Sequence, residues 1–329
     1  MEAPCPISPA IALLVVAVVA SACAVTNEPG RERDSGTASG SASAGGVGVD
    51  ASARWFHVST LSFAVVGDTR PATVDDTGGY PLAIITKIFE DIQSLRPAPP
   101  FGVSTGDYMF ASPGGGQAAA QLALYLHARA AFSGTMFPAM GNHECTGATA
   151  SNCGSGNADG ITDNYAQFLA KMVQPLGQPR PYYSFDVDAS TGAWTAKFVI
   201  VAANAWDDVQ ARWLEATLAR ATTYTFIVRH EPASATAAPG VTPAERIQSQ
   251  HPYTLSIVGH SHTVEKTGPR EVVIGNGGAP LTSSRANYGF GLVQQRADGN
   301  VQVDVLDYET MKPDTSFSFA VTPDGAPVP

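Results

Sequence analysis

Positive charge is scarce in this chain. Its 329 residues carry 19 Lys and Arg against 29 Asp and Glu, for a formal net charge of -10. With no basic stripe to neutralise a phosphate backbone, binding of duplex DNA or RNA is excluded as the main function. Long hydrophobic runs are missing as well. The apolar stretch Ala10 to Ala22 is too short to cross a hydrocarbon core of about 30 Å as a helix, but it suits a signal-peptide h-region. Cysteine is limited to Cys5, Cys23, Cys145 and Cys153. No Cys-x-x-Cys pair occurs, which argues against thiolate metal ligation. Internal repeats are absent. What the chain does have is a 44% hydrophobic composition, ample for one large α/β domain with a sizeable core and no second full domain.

Residues 1–22 read as a signal peptide, although Met1 to Pro9 contains Glu2 and no Lys or Arg where signal n-regions are positive. Ala20-Ser21-Ala22-Cys23 resembles a bacterial lipobox, whose cleavage leaves Cys23 as a lipidated first residue. The alternative is an ordinary small-residue cleavage site and a freely secreted protein. Either way export is expected, and the lipobox reading adds membrane anchoring at the periplasmic or cell-surface side. Residues 23–53 then form a tether, since Ser35 to Gly48 is almost wholly Gly, Ser and Ala and too poor in large apolar residues to offset its ordering entropy. The globular domain is expected over residues 54–322, with 323–329 as a C-terminal tail. In an exported protein, Cys145 and Cys153 are expected to close a local disulfide across a Gly/Ser/Asn-rich loop.

Within the domain, short apolar runs stop on small polar clusters. They are Val65-Val66-Gly67-Asp68, Val103-Ser104-Thr105-Gly106-Asp107, Phe137 to Met140 followed by Gly141-Asn142-His143-Glu144, Phe226-Ile227-Val228-Arg229-His230, and Ile257-Val258-Gly259-His260-Ser261-His262. Strands of a buried parallel sheet read as continuous apolar runs, and ligand-binding groups in such folds lie beyond the strands' carboxyl ends. Here those ends carry Asp, Asn and His, which are metal ligands. Helices are expected over Pro81 to Leu95, Gln117 to Ala131, Thr162 or Asp163 to Val173, Asp208 to Arg220 and from Thr242-Pro243. Strands are expected near Tyr182 to Val187, Trp194 to Ala203, Glu271 to Ile274, Gly289 to Gln295, Val301 to Leu306 and Ser316 to Val321.

Taken in order, these clusters resemble the calcineurin-like metallophosphoesterases, with the likeness running from about Ser62 to Asp307. Tyr182 to Asp186 and Gln210-x-x-Trp213-Leu214-Glu215-x-x-Leu218 also look like family segments. The resemblance implies an α/β fold, a four-layer α/β/β/α sandwich of two mixed sheets flanked by helices. It also implies a phosphoesterase with two divalent metal ions, Mn, Fe or Zn. Asp107 would bridge them, Asp68 and His262 would bind the first, and Asn142, His230 and His260 the second. His143 would stand over the scissile phosphate as a hydrogen-bond or proton donor. The reaction implied is direct attack on a phosphomonoester or phosphodiester by hydroxide activated between the metals. A nucleotidase or cyclic-nucleotide phosphodiesterase is the alternative enzyme, and an inactive surface lipoprotein that captures phosphate-bearing ligands is the alternative outside enzymes.

The chain departs from the family at three places. Many relatives have Asp-x-His at the first motif, and Asp68-Thr69-Arg70 puts a guanidinium there. Arg stays protonated and cannot ligate, so either the first ion has fewer protein ligands and more water or Arg70 is a phosphate clamp; the structural alternative is pairing with Asp75 or Asp76. Phe110 stands three residues after Asp107, where serine/threonine protein phosphatases have Asp and purple acid phosphatases have the iron-binding Tyr, and so argues against both subfamilies. Asn204 stands where relatives often have Asp. His57, His127 and His251 fall outside the motifs and read as surface histidines, whereas Tyr80, Tyr108 and Tyr288 are loop residues that could shape a substrate pocket.

Overall fold

The structure, a computed structural model, describes residues 53–329. The expected signal peptide, Cys23 and the tether up to residue 52 lie outside the described residues. No helix among the described residues is long and apolar enough to cross a membrane.

Two mixed sheets of seven strands make up the fold. In chain order the strands are β1 Ala53–Val58, β2 Ser62–Val66, β3 Phe101–Ser104, β4 Thr135–Pro138, β5 Tyr183–Ala189, β6 Thr195–Ile200, β7 Tyr224–Val228, β8 Leu255–Val258, β9 Val264–Lys266, β10 Glu271–Ile274, β11 Gly289–Gln295, β12 Val301–Asp307, β13 Phe319–Val321 and β14 Pro327–Val328. One sheet runs β14-β13-β12-β11-β2-β3-β4 and the other β1-β5-β6-β7-β8-β10-β9. Helices α1 Leu82–Ser94 and α2 Ala118–Arg129 make the crossovers between β2, β3 and β4, which are parallel. Helices α4 Asp208–Ala219 and α5 Val241–Gln248 do the same for the parallel strands β6, β7 and β8. Right-handed crossovers of this kind leave each helix on an outer face, so the expected α/β/β/α layering is what the chain adopts.

Local chemistry accounts for the helix starts. Thr162 Oγ1 accepts the Tyr165 N–H at 3.1 Å and caps α3 Asp163–Phe168, which continues as a π-helical turn over Leu169–Val173. The Asp207 carboxylate accepts the Gln210 N–H at 2.7 Å and caps α4. At the other end of α4, buried Lys197 on β6 donates to the carbonyls of Thr217, Leu218 and Arg220, a cation where the helix dipole favours one.

Three short strands escape the sequence reading. β1, β9 and β14 lie at sheet edges, where only one neighbour constrains the pattern. The stretch assigned to a C-terminal tail is corrected accordingly: Ala320 pairs with Val328 and Val321 with Pro327, so residues beyond 322 return to the sheet. Pro327 is tolerated there because an edge strand needs no ladder donor on its outer side.

A layer of phenylalanines joins the sheets. Phe63, Phe101 and Phe137 come from β2, β3 and β4, and Phe185, Phe198 and Phe226 from β5, β6 and β7, all essentially inaccessible. The Phe198 ring centroid lies 4.9 Å from Phe63, 5.2 Å from Phe101, 4.7 Å from Phe185 and 4.9 Å from Phe226. These stacked and edge-on pairs each add to the burial of apolar area. Phe198→Ala is expected to lower stability by about 3 to 5 kcal/mol, measured as the shift of a urea unfolding midpoint.

Candidate functional site

The parallel strands end together on one side of the molecule. Asp68 follows β2, Asp107 follows β3, Asn142 and His143 follow β4, His230 follows β7, and His260 and His262 follow β8. Asp68, Asp107, His260 and His262 all hold the left-handed backbone conformation, with φ of 57°, 59°, 72° and 48°. That conformation is uncommon for residues with a side chain, and it persists where surrounding structure over-determines it. Two glycines let the loops close around the carboxylates. A Cβ at Gly141 would collide with Asp107 Oδ1, and one at Gly259 with Asp68 Oδ2.

The Glu144 carboxylate ties the second and third loops. It accepts the N–H groups of Asp107 at 2.9 Å, Tyr108 at 2.8 Å and Gly141 at 2.8 Å. Asp107 is thereby fixed before any ligand arrives. The sequence reading gave Glu144 no site role. Its signal was its place in Gly-Asn-His-Glu, but its contacts with the Asp107 and Tyr108 N–H groups depend on a loop distant in sequence.

Donor atoms converge in two groups around Asp107. Asp68, Asp107 and His262 offer ligand atoms within 4.8 Å of one another, all buried, and His262 Nε2 is 3.5 Å from Asp68 Oδ1. Asn142 Oδ1 lies 3.0 Å from His230 Nε2 and 3.1 Å from His260 Nδ1, and the two ring nitrogens are 3.2 Å apart. Asp107 Oδ1 faces this second group, 3.3 Å from His230 Nε2.

Ring tautomers point the same way. His230 Nδ1 is 2.8 Å from the Thr105 carbonyl oxygen and His262 Nδ1 is 3.0 Å from that of Pro280. Each carbonyl accepts an Nδ1–H and leaves Nε2 directed at the cluster, as in metal sites where a carbonyl orients the ligating imidazole. Buried carboxylates and imidazoles with lone pairs turned inward fit divalent cations.

Electrostatics couples these buried groups. Burial raises Asp68 well above the usual carboxylate range, against the pull of the nearby His230 imidazole. Burial acts on Asp107 too, but the His143 and His230 rings and the Arg70 guanidinium outweigh it and hold Asp107 well below that range. His230 is disfavoured as a cation by burial, yet Asp107 and Asp68 carry it well above the ordinary imidazole value. Its hydrogen bonding agrees, because both ring nitrogens face acceptors. Burial pushes His143 and His260 down to about 4 each and lowers His262.

The two carboxylates offered as structural partners of Arg70 are engaged by other groups. Asp75 receives Ser112 N–H and Oγ–H, at 2.9 and 2.7 Å, and Asp76 receives Gly79 N–H at 2.8 Å. Arg70 instead turns into the site. Its Nε is 3.6 Å from Asp107 Oδ2 and is buried without a hydrogen-bond partner, while Nη1 donates to the Pro71 carbonyl at 2.9 Å. Its guanidinium lies 4.5 Å over the Phe110 ring, whose other neighbour is His143 at 4.3 Å, edge to face. His143 Nε2 is 3.7 Å from Asp107 Oδ2, the His143 backbone N–H donates to Asp107 Oδ1 at 3.2 Å, and Nδ1 is buried without a hydrogen-bond partner among the described residues. Asn164, another residue the sequence reading passed over, donates to the His143 carbonyl at 3.1 Å.

The remaining candidates stand apart. Tyr80 and Tyr108 are buried and spend their hydroxyls on the carbonyls of Tyr108 and Ala139, so they belong to the core. Tyr288 packs against Tyr308. His57 and His127 are exposed, and His251 pairs with Glu215 at 2.9 Å. Asn204 is buried beneath the site, and its amide donates to the Glu231 carboxylate.

No protein-family model matches the sequence, and a search of curated proteins finds no match. Among solved structures the chain is similar to a purple acid phosphatase from yellow lupin (Lupinus luteus) seeds, with TM-score 0.56 and 15% identity over 81% of this chain. It spans about half of that protein's length, 54%. It is also similar to a dimetal phosphatase from Danio rerio, with TM-score 0.53 and 12% identity over 80% of this chain and 99% of that one. A third likeness is to GAP50, described as the anchor in the inner membrane complex of Plasmodium, with TM-score 0.52 and 14% identity over 80% of this chain and 89% of that one. At such identities the likeness is one of fold alone.

A proton must leave His230 before its Nε2 can bind a cation. Loading at neutral pH is therefore expected to release protons, and cation affinity to rise with pH through the neutral range. In the metal-free protein the sign for stability is the reverse. A raised His230 pKa contributes stability that is complete below the ordinary imidazole value and lost as pH rises through the raised one. Titration calorimetry in buffers of different ionisation enthalpy measures the release, and thermal melts of metal-free protein against pH measure the loss.

Proposed function

We propose that the protein is a metal-dependent phosphoesterase that hydrolyses a small phosphomonoester or phosphodiester. The observation that carries the proposal is the pair of buried donor groups sharing Asp107, with imidazole lone pairs directed inward by the Thr105 and Pro280 carbonyls. Asp68, Asp107 and His262 would hold one cation, and Asp107, Asn142, His230 and His260 a second. Bound there, divalent ions such as Mn, Fe or Zn, which suit mixed oxygen and imidazole donors better than Ca does, supply positive charge to phosphoryl oxygens and activate water.

The chain's own side chains account for the rest. His143, pressed on Phe110 and beside Asp107, has an unpartnered ring nitrogen with which to donate to a phosphoryl or leaving-group oxygen. Arg70, locked over the same ring, presents an unpartnered Nε–H and acts as a fixed cation toward a phosphate. Glu144 holds the loops of Asp107 and His143 in register.

A second reading, capture of a phosphate-bearing ligand without turnover, is favoured by Arg70 at the position of a family ligand and by the sharing of this fold with a protein described as an anchor. A nucleotidase or cyclic-nucleotide phosphodiesterase would share the centre and differ in the pocket around it. Export, with lipidation of Cys23, is part of the same proposal and rests on Ala10 to Cys23 of the sequence.

Protein reconstituted with Mn or Zn is expected to hydrolyse p-nitrophenyl phosphate or its bis-ester, with activity removed by chelator and by Asp107→Asn. His143→Gln is expected to lower kcat by about 100- to 10,000-fold with the number of bound ions unchanged. Two bound ions without turnover on either ester would favour the capture reading.

A further inference from the structure

The buried disulfide beside the site has no part in the chemistry above, yet both of its ends lead to the same group of donors. Cys145 and Cys153 are bonded, with Cα atoms 5.6 Å apart, and both are inaccessible to solvent. Cys145 closes the turn that carries Asn142. The Asn142 carbonyl accepts the N–H groups of Cys145, Thr146 and Gly147 at 3.1, 3.2 and 2.9 Å. The Asn142 side chain is oriented by that turn, because its Nδ2 donates to the Gly147 carbonyl at 3.3 Å. With Nδ2 so engaged, Oδ1 faces His230 and His260.

The other end is anchored under His230. Cys153 N–H donates to the Asn204 carbonyl at 2.8 Å, and the two sulfurs sit 3.5 and 3.4 Å from the same oxygen. The Asn204 amide donates to Glu231, the residue after His230. Glu231 and Asn204 are both fully buried, so this link is shielded from water. Asp68 and His262 are held by other contacts: the Asp68 carboxylate accepts the His260 N–H, and His262 Nδ1 lies against the Pro280 carbonyl.

We propose that the Cys145–Cys153 disulfide is a positioning element for one cation site only, the one formed by Asn142, His230 and His260 with Asp107. This inference rests on the two-cation reading of the centre. The bridge fixes the amide face that Asn142 presents and ties its turn to the segment carrying His230. Without it the turn keeps its backbone bonds but loses its anchor on Asn204, and Asn142 Oδ1 is no longer held at the ligating position. Outer contacts that orient a ligand typically set metal affinity by about 10- to 100-fold.

The test is equilibrium dialysis of the purified protein against Mn2+, with ions counted per chain by elemental analysis and melting temperature read alongside. The parent is expected to bind two ions. Cys145→Ala/Cys153→Ala is expected to keep one with unchanged affinity and to weaken the other by about 10- to 100-fold. Cys145→Val/Cys153→Ala, which refills the buried volume, should give the same result if the first pair folds poorly. Added to His262→Ala, the cysteine substitutions should remove the remaining ion; added to Asn142→Ala, they should change nothing further. Ile88→Ala, on the buried face of α1, serves as the control for a protein destabilised elsewhere, and it should leave both ions bound. Two ions held equally with and without the bridge, in a protein that turns over phosphate esters, would overturn the positioning role and leave the phosphoesterase reading intact. Parallel weakening of both ions would also overturn it. A parent protein that binds no cation would overturn the centre and the brace together.

Discussion

A single desolvated carboxylate organises the site. Asp107 is buried among ionisable groups from every other loop at the strand ends, with His143, His230 and Arg70 each within 4 Å of one of its oxygens. An unpaired charge in such a place would cost several kcal/mol, and a paired one is tolerated only when the geometry is good. The surrounding structure supplies that geometry in layers. Glu144 fixes the Asp107 backbone, the Thr105 and Pro280 carbonyls fix the imidazoles, and Phe110 fixes both Arg70 and His143.

The centre is also a seam between the two sheets. Asp68, Asp107, Asn142 and His143 come from strands of one sheet, and His230, His260 and His262 from strands of the other. Distances across the seam are therefore set by how the sheets pack, which makes the phenylalanine layer part of the site's geometry although it lies away from the chemistry. Close packing of this kind transmits small volume changes. The fold alone does not fix activity, since structures with the same fold include phosphatases and a protein described as an anchor. What separates these possibilities is the donor set and its neighbours, Arg70 above all.

Much of the fold was legible because its signals are local. The strand-end runs and the Thr162 cap are short-range patterns. Edge strands β1, β9 and β14 were not, because a strand with one neighbour needs little hydrophobic pattern of its own. The uncertainty over Arg70 had the same origin. Asp75 and Asp76 are close in sequence and looked like available partners, but backbone and hydroxyl donors on neighbouring turns occupy both.

The sequence by itself determined which residue types stand at the strand ends and in what order, along with the acidic balance that excludes duplex nucleic acid. These follow from chain-local rules: buried strands must be apolar, and polar groups gather where strands stop. Only the tertiary structure decided that Glu144 would span two loops, that Phe110 would hold Arg70 and His143 apart, and which ring nitrogen of each histidine faces inward. It also decided that one disulfide would lie beneath both Asn142 and His230. Each of these depends on groups remote in sequence meeting within hydrogen-bonding or van der Waals distance, and that distance is a property of packing and not of spacing along the chain.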